Sequence, residues 1–259
     1  MKLHLLMTII LPFFGSCNTP QPRQTDTTGK KQQVTPVQYK QVGDIPLPTG
    51  FKRLPCADSS FAAWLQHIPL KKDNRVHLYN GSLKRNQDAQ FAVLDVSVGT
   101  KDLQQCADAV MRLRAEYLYS RKQFSQIVFA DNNSKQYRYT DGNDRQQFQQ
   151  YLEKVFSYCG TASLEKQLKP VKTWQQLQPG DVLIKGGSPG HAMIVIDVAV
   201  NNEGQRIYLL AQSYMPAQDI HIVKNPMHAD LTPWYLAHTD NRLIYTPEWV
   251  FTGLQLRSW

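Results

Sequence analysis

The stretch from Gly186 to Ala211 limits the possible folds more than any other part of the chain. The turn Gly186-Gly187-Ser188-Pro189-Gly190 releases His191 into the apolar run Ala192 to Val200, which has no polar alternation and reads as a strand buried on both faces. Asn201 to Gly204 then turns the chain, Gln205 to Ala211 returns it, and Ile220 to Val223 adds a further strand. The C-terminal part is therefore expected to be an antiparallel sheet.

Upstream, the pattern changes to helical spacing. Helices are expected over Ser59–Gln66, Asp144–Tyr158 and Ser163–Leu168, the last stopped by Pro170. A hairpin is expected where Val76 to Tyr79 enters the tight turn Asn80-Gly81, and a second where Ile127–Ala130 and Gln136–Thr140 flank an Asn-rich turn. Phe91 to Val98 alternates as a half-buried strand. Helices lie mainly before the sheet and strands within it, which is the order of an α+β fold. We expect one domain over residues 43–259, its core spanning about 100–225 with an N-terminal α/β elaboration.

The longest-range chemistry is carried by a helix that begins near residue 102. Asp102 with Gln105 fits a capping box, and Cys106, Ala109, Val110, Leu113 and Tyr117 recur along one face, opposite Arg112, Arg114 and Glu116. With Asp102 as the cap, Cys106 is the fourth helical residue and its amide is already used inside the helix.

A thiol hydrolase needs a cysteine, an imidazole to take its proton, and a polar group to orient the imidazole. Cys106, His191 and Gln212 offer one of each. If the turn after the apolar strand centres between Asn202 and Glu203, His191 faces Tyr214 and Met193 faces Gln212, so all four share one face of the sheet. The diagonal from His191 to Gln212 is then about 7 to 8 Å between Cα atoms, within reach of a glutamine side chain. Gly190, Tyr214 and Gln218 are the candidate substrate contacts around them. Asp219, Trp234, Tyr235 and Trp249 fit either a saccharide or peptide groove or the closing of a core.

Each of these residues also has a structural reading. Cys106 sits on the apolar stripe and fits a small core residue equally well. Cys159, at a helix end where the dipole disfavours a thiolate, fits a structural role, and Cys56 follows a proline as a spectator or as a partner of Cys159. His221, His228 and His238 lack metal-ligand spacing, so no metal and no cofactor is expected. The glycine turn leads into a strand instead of a helix N-terminus, which argues against a phosphate cradle.

The order of a helix-borne Cys106, then Pro179-Gly180-Asp181-Val182-Leu183 before the glycine turn, then His191 and Gln212, resembles the papain-like NlpC/P60 group of cell-wall and amide hydrolases. Gln105 to Ala109, Arg112 to Tyr117, Gly186 to Ala192, and Gln212 to Gln218 resemble, more closely, the uncharacterised lipoproteins called domain of unknown function 4846. The first resemblance implies a papain-like core with Cys106 as nucleophile, His191 as base and Gln212 as orienting residue, acting on an amide or ester such as a wall peptide. The alternative is a non-catalytic envelope lipoprotein that binds wall fragments or a protein partner through a hydrolase-like body.

The N-terminal end bears on location. Lys2 and the apolar stretch Leu5 to Phe14 read as an export signal over residues 1–16, and Phe14-Gly15-Ser16 before Cys17 suits lipoprotein processing with a lipid on the Cys17 thiol. Residues 17–42 are polar and read as a flexible linker. The net charge of +8 becomes +7 once Lys2 is removed with the signal, a dispersed basicity that suits anionic lipid or polyanionic wall material. No basic helix or run points to nucleic acid. The expected location is the cell envelope, anchored to a membrane through Cys17, and the pattern says nothing of oligomeric state.

Overall fold

The computed structural model describes residues 39–238 and 242–259. The expected export signal, Cys17 and most of the expected linker lie outside these residues. Gln38–Trp259 form one compact unit. Its helices are α1 (Phe61–Gln66), α2 (Cys106–Ser120), α3 (Arg145–Tyr158) and α4 (Thr161–Gln167). The strands are β1 (Phe51–Arg53), β2 (Gln90–Val93), β3 (Val128–Ala130), β4 (Gln136–Arg138), β5 (Lys169–Pro170), β6 (Val182–Lys185) and β7 (His191–Asn201). After these come β8 (Arg206–Gln212), β9 (His221–Val223), β10 (Tyr235–Leu236), β11 (Leu243–Tyr245), β12 (Val250–Thr252) and β13 (Leu256–Ser258).

The architecture is mixed α+β around a large antiparallel sheet. Nine strands join in it, in the order β2-β9-β8-β7-β6-β13-β5, with β1 added to β7 and β10 to β8. The pairs β3–β4 and β11–β12 stand apart as hairpins. Among the described residues no helix is long and apolar enough to cross a membrane.

Strand β7 is buried along almost its whole length because both of its faces carry a core. Ala192, Ile194, Ile196 and Ala199 meet β8 residues Ile207, Leu209 and Ala211 and helix α2 on one side. Met193, Val195 and Val198 meet Tyr208, Leu210 and Phe251 on the other. The alternation changes phase between Ile196 and Val198, at a bulge in the β7–β8 ladder. Near the turn the partners are Asp197 and Leu209 through Val200 and Arg206; past the bulge they are Val195 and Leu210, then Ile194 and Ala211. The turn itself centres on Glu203, half a residue later than the sequence suggests, and Gly204 takes a positive φ of 82° to close it. The bulge removes that offset. It returns the ladder to the register that puts Met193 opposite Gln212 and both on the face of His191.

Ile196 is the extra residue of the bulge, and Asp197, which follows it, is fully buried. Its carboxylate accepts from Arg53 Nε at 2.7 Å and Gln66 Nε2 at 2.9 Å, tying β1 and α1 to the middle of β7. Burial still pushes its pKa up, against the pull of Arg53.

Other elements depart from the sequence pattern. The hairpin at Asn80-Gly81 is reduced to an isolated bridge between His77 and Leu83. Strand β2 stops at Val93 instead of Val98. Helix α2 is more deeply embedded than an amphipathic stripe requires: Arg112 is buried against Glu116 at 2.7 Å, and Arg114 lies over the rings of Phe61, Tyr117 and Trp259. Cys56, Cys106 and Cys159 are all free thiols, so the pairing of Cys56 with Cys159 is not formed.

Removing one partner of a buried ion pair strands the other charge. Arg53→Met is expected to cost about 3 kcal/mol at neutral pH. The unpaired Asp197 can then be relieved only by taking a proton, so the loss should shrink as pH falls. Denaturant titrations at pH 7 and pH 5 measure this, and an equal loss at both would contradict it.

Candidate active site

Helix α2 starts at Cys106, three residues later than a cap at Asp102 would place it. Gln105 is the N-cap, and its amide donates to Asp108 Oδ2 at 3.0 Å. Asp102 serves elsewhere: its Oδ1 accepts from the Ala217 amide at 2.7 Å and from the Gln105 side chain at 3.3 Å. That pins the loop before α2 to the loop after β8, helped by Ser213 Oγ donating to Gln104 O at 2.9 Å. Cys106 is thus the first helical residue. The first intrahelical bond is Ala109 N to Gln105 O, so the amides of Cys106, Ala107 and Asp108 have no acceptor within the helix.

Cys106 and His191 line the same cleft, about 410 Å³ in volume, together with Gly190, Tyr214, Trp249 and the Gly160-Thr161 entry to α4. The amide of Ala192, next in chain to His191, lies within hydrogen-bonding reach of the Cys106 thiol, as do those of Ala107 and Cys106 itself. The glycine turn closes down over α4: a side-chain carbon at Gly190 would sit 2.3 Å from Gly187 O and 2.5 Å from Thr161 Oγ1. Only glycine fits there, which explains why the residue before His191 has no side chain.

His191 is 1 % exposed and packed by Tyr214, Trp249 and Phe251 at ring separations of 4.9, 5.2 and 5.8 Å. Its Nε2 lies 2.8 Å from Gln212 Oε1. The direction of that bond follows from the groups behind it. His221 Nδ1 faces the Asp219 carbonyl at 2.9 Å and must donate, which leaves its Nε2 as an acceptor. Gln212 Nε2 lies 3.3 Å from that nitrogen and 2.8 Å from Glu248 Oε2. Both demand a donor, so the Gln212 amide presents its NH₂ to them and its oxygen to His191. His191 therefore carries its proton on Nε2 and leaves Nδ1 as a bare base.

Charge is costly in this environment. Burial pushes His191 down to about 4, and the nearby Lys84 ammonium adds to this while Gln212 opposes it. His221 is pushed down to about 3 by burial and by Lys84. Burial also raises the Cys106 thiol, against the three amides that favour its thiolate. Cysteine and histidine both rest neutral.

Among the residues expected around a substrate, Gly190 and Tyr214 line the cleft. Gln218 does not: it is 1 % exposed, and its backbone belongs to the Ser213 hydrogen-bonded loop. Of the alternative groove residues, Trp249 reaches the cleft, Trp234 is core with its indole donating to Pro46 O, Tyr235 is core, and Asp219 holds Lys71 and the His77 amide. Cys159 also lines the cleft, its thiol raised to about 12 by burial. Two members of the arrangement lie outside the sequence reading, Lys84 and Glu248, joined at 2.6 Å. Among the described residues no cluster of side chains could hold a metal ion.

Residues 43–143 and 130–258 match the model of a family described as Domain of unknown function (4846). The chain belongs to that family. Neither a search of curated proteins nor a search of solved structures returns a match.

For this DUF4846 protein, the raised thiol has a direct consequence in alkylation. With Cys56→Ser and Cys159→Ala removing the competing thiols, the rate of Cys106 reaction with iodoacetamide should climb toward and beyond pH 9.0, the ordinary thiol value. A plateau of fast reaction below about pH 8 would show a resting thiolate instead.

Proposed function

We propose that this DUF4846 protein is an envelope lipoprotein whose cleft is the active site of a papain-like thiol hydrolase or acyl transferase. Its substrate is an amide or ester, with a wall peptide the class that the resemblance to NlpC/P60 proteins suggests. The observation that carries the reading is the meeting in one cleft of a thiol at the first position of a 15-residue helix and a histidine tautomer whose free Nδ1 can only accept.

The steps follow from these groups. The Cys106 sulfur attacks the carbonyl carbon as its proton passes to His191 Nδ1, and the carbonyl electron pair moves onto oxygen. The Cys106 and Ala107 amides, which have no acceptor within the helix, are the donors available to that developing charge, favoured by the helix dipole. Collapse of the tetrahedral species expels the amine or alcohol, which leaves with the proton held by His191. A water, or a second acyl acceptor, then attacks the thioester with His191 again as base. Because thiol and imidazole rest neutral, proton transfer accompanies attack.

A second reading keeps the cleft as a binding site without chemistry. The enclosure of Cys106, only 8 % exposed, favours it.

Activated esters separate the two. Incubation with p-nitrophenyl acetate should release nitrophenolate and leave one acetyl group on Cys106, located by peptide mass mapping. Cys106→Ser and His191→Asn should each slow this by about 100-fold or more while the melting temperature stays within a few degrees. Acetylation confined to Cys56, or unchanged turnover in Cys106→Ser, supports the binding reading. Anchoring is tested separately: cells expressing the full chain should incorporate labelled palmitate, and Cys17→Ser should abolish incorporation and release the protein from membranes.

A further inference from the structure

Lys84 and Glu248 form an ion pair at 7 % and 15 % side-chain exposure, 164 positions apart in sequence. Isolated charges are not buried without a reason, and an apolar pair of similar volume is often as stable or more so. Glu248 Oε2 accepts from Lys84 Nζ and from Gln212 Nε2 together, while its Oε1 takes Asn86 Nδ2 at 3.3 Å. The carboxylate thus spends one oxygen on holding the Gln212 amide in a single orientation. Without it, only the longer contact to His221 Nε2 would prevent the amide from turning over.

Amide orientation matters because Gln212 offers an acceptor at one end and a donor at the other. Turned over, it would present NH₂ to His191, which could meet it only by moving its proton to Nδ1. Its one lone pair would then be engaged by Gln212, and Nδ1 could no longer take a proton.

We infer that the Lys84–Glu248 ion pair is a positioning device, acting through Gln212, that fixes His191 as the Nε2–H tautomer and leaves Nδ1 as its proton-accepting nitrogen. The inference rests on the hydrolase reading for its consequence in catalysis, although the tautomer itself is measurable without any activity. Lys84 holds the Glu248 carboxylate in place, Glu248 holds the Gln212 NH₂, and the Gln212 oxygen holds the His191 proton. Neither charged residue lines the cleft or touches a substrate there.

Two double variants of the full chain test this. Lys84→Met with Glu248→Leu removes the pair without stranding a charge. Lys84→Glu with Glu248→Lys restores an ion pair but presents a donor to Gln212. The readouts are the histidine-ring ¹⁵N spectrum, with His191 assigned from His191→Asn, and the rate of Cys106 acetylation by p-nitrophenyl acetate. The wild-type protein should show His191 only as Nε2–H. The apolar variant should keep the fold, show a mixture of tautomers, and acetylate roughly tenfold more slowly. The swapped variant should move further toward Nδ1–H and lose roughly a hundredfold.

A wild-type His191 protonated on Nδ1, or tautomer and rate unchanged in both folded variants, overturns the inference. If both double variants fail to fold, the wild-type spectrum and the single variant Glu248→Gln decide it. The side-chain amide introduced by Glu248→Gln retains an oxygen for the Gln212 NH₂, so the Nε2–H form should persist, and its loss there counts against the arrangement. Should the tautomer shift as described while the wild-type protein never acetylates Cys106, the positioning device stands and the hydrolase reading falls.

Discussion

The phase of the β7–β8 ladder decides whether this protein has a site at all. With the turn centred on Glu203, an unbroken antiparallel ladder would pair Gln212 with Ile194 and send its side chain to the α2 face, away from His191. One extra residue on β7 corrects this, and the correction is visible in the core, where the inward-facing set changes from even to odd positions across Ile196. A bulge in mid-sheet leaves backbone and side-chain groups without ladder partners. Here Ile196 is the extra residue, and Asp197 beside it braces the bulge: its carboxylate accepts from the neighbouring Val198 amide at 3.0 Å as well as from Arg53 and Gln66. A buried charge far from the cleft therefore sustains the geometry within it.

The second constraint is that a site this dry tolerates few ambiguous groups. Neutral histidine and glutamine can each be satisfied in two ways, and a chain of them has several self-consistent arrangements unless its ends are fixed. Both ends are fixed here. A backbone carbonyl at Asp219 can only accept, and a carboxylate at Glu248 can only accept, so every donor between them is determined up to the His191 ring. Burial completes the arrangement by keeping both histidines neutral; a proton on His221 Nε2 would confront the Gln212 NH₂ with a second donor, whereas His191 can take a proton on Nδ1 with its bond to Gln212 intact.

Local patterning made much of the sheet readable. The buried run opened by His191, the return strand ending at Gln212 and the helix expected over Asp144–Tyr158, where Asp144 proves to be the cap accepting from the Gln146 and Gln147 amides, each follow from a handful of adjacent residues. The start of α2 was harder, because Asp102-x-x-Gln105 and Gln105-x-x-Asp108 are overlapping capping patterns. Tertiary contact chose between them: Asp102 is drawn off to the Ala217 amide, leaving Gln105 and Asp108 to cap the helix. Strand β2 ended early for a similar reason: past Val93 the β9 ladder stops with the Leu94 amide donating to Ile220 O at 2.9 Å, and Leu94 forms an isolated bridge to Leu70 on its other side. Lys84 and Glu248 had no local signal whatever. Each is an ordinary charged residue near a turn, and only the fold brings the β11–β12 hairpin, with Trp249 and Phe251, over the cleft.

The resting neutrality of Cys106 and His191 is compatible with catalysis because it moves the electrostatic cost from the ground state to the moment of reaction. A preformed thiolate and imidazolium would have to be desolvated together in a cleft where burial already opposes both. If the proton moves only as sulfur attacks, negative charge leaves the sulfur for the substrate oxygen, where the first-turn amides of α2 are already oriented and need no reorganisation. Positive charge appears on an imidazole whose Nε2–H is held by Gln212. Glu248, one bond further on, offsets the Lys84 charge that would otherwise oppose it. On this reading, the same ion pair that restricts the tautomer also limits how much the buried lysine can disfavour the protonated histidine.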